Sequence, residues 1–63
     1  MSLSMLEARL NKISHFVNVD DIDQFRFLGV TREEVLNLRF NYDMNLLQLI
    51  CYDEAIKILR FIV

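Results

Sequence analysis

Apolar residues return along the first part of the chain at helical steps. Leu6, Leu10, Ile13 and Val17 follow one another at intervals of four, three and four, with Met5 and Phe16 beside them, which gathers them on one face of an amphipathic helix. Ser4-Met5-Leu6-Glu7 has the form of a capping box that opens this helix: the serine oxygen takes an early backbone N–H and the glutamate reaches back to the cap. His15 falls on the opposite face. The run Asn18 to Asp21 interrupts the pattern with residues whose short polar side chains favour turns and caps over helix interiors. Asp20 or Asp21 then caps a short second helix carrying Ile22, Phe25 and Leu28. Gly29 ends it, since glycine enters the left-handed conformation of a helix C-terminus without a Cβ penalty. Val30-Thr31-Arg32-Glu33-Glu34-Val35 combines a Thr31/Glu34 capping box with a Val30/Val35 hydrophobic staple and starts a third helix.

From Leu36 to Leu46 the pattern changes to strict alternation, Leu-Asn-Leu-Arg-Phe-Asn-Tyr-Asp-Met-Asn-Leu, the period of a half-buried strand. Its polar members are mostly asparagine and aspartate, which strands disfavour, and the capping signals just upstream demand a helix. The reading that reconciles these is a third helix running to about Phe40, a break around Asn41-Tyr42-Asp43, and a last helix from Met44 to the end. The fold class is therefore all-α, a small bundle of three to four helices forming a single domain over residues 1–63. The alternative is an α+β fold in which Ala55 to Val63 pairs with the alternating segment as a C-terminal β-hairpin.

The last helix carries the most distinctive pattern. With successive residues about 100° apart, Asp53, Lys57 and Arg60 cluster on one narrow side, and Asp53 is placed to pair with Lys57 one turn on. Leu47, Ile50, Cys51, Ala55, Ile58, Phe61 and Ile62 cover one apolar flank and the centre, with Cys51 as a small core residue. Tyr52, Ile56, Leu59 and Val63 cover the other flank. A helix that packs one face on a core shows an apolar stripe a little over about 100° wide. This one is much wider, so Tyr52, Ile56, Leu59 and Val63 form the expected interaction surface.

Composition sharpens that expectation. Hydrophobic residues make up 54% of the chain, against a usual level of about 45–50% that also counts glycine. A domain of 63 residues has a thin core, and small folds commonly add disulfides, a metal or a partner chain. Cys51 is the only cysteine, so no disulfide forms within the chain, and with His15 it supplies too few soft ligands for structural zinc. A partner chain or unusually dense packing remains; the 54% hydrophobic content allows the second, and for the first a second copy is the commonest partner. The lone cysteine and the absence of a signal-peptide pattern point to the cytoplasm. The near-apolar run Leu46 to Tyr52 is far shorter than the roughly 20 residues of a membrane span. A net charge of −2 gives no bulk attraction for nucleic acid or anionic lipid.

Residues that carry chemistry are few. Asp20, Asp21 and Asp23 do not make a calcium loop, because the positions that need glycine and a bidentate glutamate hold Phe25 or Arg26 and Thr31 or Arg32. His15 and Cys51, the minimum for thiol chemistry, are expected on opposed settings. The Glu33-Glu34 and Asp53-Glu54 neighbours point about 100° apart on a helix and converge on no substrate atom. No cofactor, metal or catalytic site is expected, and the chain reads as non-enzymatic. The segment Phe25 to Leu38, with its Leu28-Gly29-Val30-Thr31 turn, resembles the turn and second helix of a helix-turn-helix motif, which implies DNA contact through Arg32 and Arg39. It departs from that motif at Phe25, where a small residue is needed, and at Glu33 and Glu34, which phosphates would repel. The leading expectation is a protein-protein interaction module, a regulator or adaptor acting as a homodimer through its C-terminal helix; the alternative is a helix-turn-helix-like transcriptional regulator.

Overall fold

A computed structural model describes residues 2–63; Met1 lies outside the described residues. Five α-helices follow one another: α1 (Leu3–Asn18), α2 (Ile22–Phe27), α3 (Arg32–Asn37), α4 (Leu46–Tyr52) and α5 (Ile56–Ile62), with a 3-10 turn at Asn41–Asp43. The all-helical class holds, and no strand occurs among the described residues, so the C-terminal hairpin is not formed. The alternating segment has a simpler origin. Helix α3 stops at Asn37 rather than Phe40, and the chain then runs extended: Leu38 and Phe40 turn inward against the core while Arg39 stays exposed. The Phe40 N–H donates to the Met44 carbonyl at 2.8 Å and closes the loop on itself, so the period of two needs no neighbouring strand.

Local signals set most helix starts. Thr31 Oγ1 accepts the Glu34 N–H at 3.2 Å and Glu34 Oε1 accepts the Thr31 N–H at 3.0 Å, the reciprocal capping box expected of α3. Asp21, not Asp20, caps α2 through the Gln24 N–H. Helix α1 opens two residues earlier than its sequence suggests. Ser2, not Ser4, takes the Met5 N–H, and Ser4 lies inside the first turn. Helix α4 has a box of its own, in which Asn45 and Gln48 exchange side-chain-to-backbone bonds of 2.9 Å.

The apolar stretch at the C-terminus is not one helix. It breaks at Asp53-Glu54, where Glu54 adopts a left-handed φ of 56°. The Ala55 N–H donates to Ile50 O and the Glu54 N–H to Cys51 O, the paired bonds that finish a helix at a left-handed residue. Helix α1 ends the same way at Asp20 (φ 52°), with Asp21 N–H to Phe16 O and Asp20 N–H to Val17 O. Gly29 (φ 60°) is the left-handed residue that ends α2, with the single bond Gly29 N–H to Arg26 O at 3.2 Å. Folding back at Glu54 lets Leu46, Leu49 and Ile50 of α4 and Ile58 of α5 reach one core with Ile13, Val17, Phe25, Val35 and Ala55. Helix α1 packs on α2 and α4, α3 on α4, and α5 on both α2 and α4. Only the C-terminal half of α1 is deeply buried; Leu6 and Leu10 are half-buried and Met5 is exposed.

Two long-range links lock this arrangement. Arg9 of α1 forks onto Glu34 of α3, Nε to Oε2 at 2.7 Å and Nη2 to Oε1 at 2.9 Å, while Nη2 also donates to the Leu28 carbonyl at 3.0 Å. Asp20 receives the Lys57 and Ile58 N–H groups at 3.0 and 3.1 Å, and so caps α5, which has no side-chain cap at Ala55.

Candidate functional site

With five short helices around a small core, some apolar surface is left uncovered. One hollow lies between α3, α4 and the end of α5. Val35 and Leu36 of α3, Leu47 of α4 and Phe61, Ile62 and Val63 form an open groove of about 510 Å³, with Val30 and Arg32 at its edge. Leu36, Phe61 and Val63 are at least half exposed. A second, shallower hollow on the outer face of α4 is lined by Met44, Leu47, Gln48, Cys51 and Tyr52. Leu47 belongs to both, so the two make one apolar surface that turns around α4.

Phe61 is held in place from two sides. Its ring meets Phe25 edge-on, with centroids 6.3 Å apart, and the Arg26 guanidinium lies over it at 5.6 Å. This is a cation–π contact at a partly exposed site. The position of α3 along the groove is fixed by Arg9. Its hydrogen bonds hold the Glu34 carboxyl down at about 2, helped by the Thr31 N–H and opposed by partial burial, and the same contact raises the Arg9 guanidinium above its ordinary value. Arg32, two residues before Glu34, makes no ion pair among the described residues.

The break at Asp53-Glu54 changes the geometry of the expected flank. Tyr52, 69% exposed, lies at the end of α4 in the outer hollow, and Val63, 85% exposed, lies in the groove. Ile56, 50% exposed, starts α5 and lines neither hollow, while Leu59 is partly buried against the core. These residues do not share one helical stripe, because they sit on two helices joined by a reversal. Cys51 is exposed rather than a core residue, for the same reason: the reversal lets Ile50 and Ala55 take the inward positions. Asp53 closes α4 and makes no ion pair with Lys57, which lies beyond the break on α5.

His15 is exposed on α1 beside Phe16, and it is not among the residues lining the hollow around Cys51. Asp20 and Asp21 are engaged as caps, and no cluster of three or more His, Cys, Asp or Glu residues suited to a metal ion occurs among the described residues. Arg32 and Arg39 open onto different hollows. Arg39 donates to the Leu36 carbonyl at 3.0 Å, lies 3.7 Å from Asp43, and borders a cleft with Leu10 and Asn41. Among the described residues no helix is long and apolar enough to cross a membrane.

The groove was missed in sequence because its residues come from three helices, with Phe61 assigned to the core. The Asn45-x-x-Gln48 box was legible and would have placed the start of α4 at Leu46, two residues later than Met44. No protein-family model, curated protein or solved structure matches the chain.

Proposed function

We propose that the chain is a non-catalytic protein-protein interaction module, a regulator or adaptor that acts as a homodimer through the apolar surface of α4 and α5. The observation that carries this reading is the exposure of Tyr52, Ile56, Phe61 and Val63, large apolar residues on two consecutive short helices. Scattered single hydrophobics are ordinary on a protein surface, but a contiguous apolar patch marks an interaction site or an aggregation hazard. A second copy related by a two-fold axis covers such a patch on both chains at once. Leu59 supports the contact from beneath rather than forming it. A cytoplasmic regulator of this size needs no site beyond such a surface.

Light scattering across a concentration series tests the dimer. The parent is expected at twice the chain mass, and Tyr52→Glu or Ile56→Lys at the mass of one chain with helical content retained, because both side chains are exposed. Leu59→Glu is a poorer probe, since a charge there enters the core and unfolds the monomer. A parent that stays at one chain mass up to millimolar concentration would sink the dimer. Retardation of mixed-sequence DNA by that monomer, lost in an Arg32→Ala, Arg39→Ala double variant, would install the DNA-binding alternative instead.

A further inference from the structure

We infer that the groove between α3, α4 and the end of α5 is a docking site for an acidic amphipathic helix of a partner protein. The inference rests on the interaction-module reading but not on the homodimer, whose proposed contacts share Phe61 and Val63 with the groove and, at Tyr52 and Ile56, lie outside it. The floor is apolar, supplied by Val35, Leu47 and Ile62, with Leu36, Phe61 and Val63 partly exposed above it. An open trough walled by helices suits a helix that lays apolar anchors at i, i+3 or i+4 and i+7 into it.

Charge selects the sign of the partner. Arg32 lines the groove and Arg26 lies over the Phe61 ring that forms part of its wall. Neither guanidinium has an ion pair among the described residues, whereas Arg9 and Arg39 are paired with Glu34 and Asp43. Asp23 and Glu33, the acids nearest them in sequence, do not come within ion-pair distance, and no acidic residue lines the groove. Among the described residues Arg32 is thus the one charged side chain that lines the groove, and Arg26 reaches its Phe61 wall from the neighbouring hollow, which it shares with Asp23. A second copy set isologously on the same face would bring an identical lining against it, with no side-chain carboxylate to meet Arg32. A helix flanked by glutamates or aspartates supplies carboxylates, and Arg accepts them in forked pairs.

The test uses the ¹⁵N-labelled full chain and two synthetic helical peptides with the same leucine anchors, one flanked by glutamates and the other by lysines. A mixed-sequence DNA duplex is the third probe. The glutamate peptide is expected to shift the amides of Val35, Leu36, Leu47 and Ile62. The double variant Arg26→Glu, Arg32→Glu, altered only at exposed positions, should bind that peptide more than about tenfold more weakly and should reverse the preference between peptides. No shift up to millimolar glutamate peptide, equal shifts from both peptides, or shifts from DNA alone would each overturn the inference. Light scattering on the same samples separates the two readings: a dimer that ignores the peptide leaves only the homodimer standing, and a monomer that binds it leaves only the groove.

Discussion

Asp20 caps a helix that begins far beyond it in sequence. Its Oδ1 accepts the Ile58 N–H at 3.1 Å while Oδ2 takes the neighbouring Lys57 N–H at 3.0 Å, across separations of 38 and 37 residues. The same residue ends α1 in a left-handed conformation, so one aspartate closes the first helix and opens the last. The two roles reinforce each other, because the sharp end of α1 is what aims the carboxylate at α5.

Substitutions at Asp20 should separate these roles. Asp20→Asn keeps an acceptor and tolerates the left-handed backbone, and is expected to cost least. Asp20→Gly loses the cap but relaxes φ. Asp20→Ala loses the cap and keeps the strain, for a total of about 2 kcal/mol. Urea denaturation ranks the three, and an alanine variant as stable as the asparagine one would show that the cap contributes nothing.

The Arg9–Glu34 contact predicts an acid-sensitive fold. The Glu34 carboxyl, ordinarily near 4.5, is held at about 2 by its hydrogen bonds to Arg9. A carboxylate with a depressed folded-state pKa binds fewer protons in the native state than in the unfolded one. Its contribution is therefore complete above the unfolded value and drains away as pH falls through that window towards the folded value. Glu34→Gln should cost about 1 kcal/mol at neutral pH and flatten the decline of the urea midpoint between pH 4.5 and 2. Parallel pH profiles for variant and parent would remove Glu34 as the cause.

Gly29 isolates a backbone effect. Its φ is 60°, and an added Cβ would meet nothing within 4 Å, so no steric clash accompanies a substitution. Gly29→Ala should cost about 1 kcal/mol through conformation alone, and Gly29→Asn less, since asparagine visits the left-handed region more readily. Thermal melts of the two variants give the comparison, and equal loss in both would point to a contact instead.

The sequence by itself determined the helical class, the start of α3 and the end of α2, and it misplaced the equally local starts of α1 and α4, capping α1 at Ser4 instead of Ser2 and starting α4 at Met44 instead of Leu46. Thr31 with Glu34 and Gly29 as a helix end are short-range solutions to unsatisfied backbone groups that read the same in sequence and in structure, while the α2 cap, open between Asp20 and Asp21 in sequence, falls to Asp21. The tertiary structure decided the reversal at Glu54, the second role of Asp20, the fork from Arg9 to Glu34, and the exposure of Cys51. At Glu54 a non-glycine residue takes the left-handed position, at a conformational cost that no local signal announces. That cost is offset by burying Ile50, Ala55 and Ile58 in one core, which a straight helix through residues 46–63 would have strung out along its axis. The exposed apolar surface moved with it. Which apolar residues stay outside depends on which helices fold back on each other, and that is settled by packing among distant segments rather than by the order of residues along any one of them.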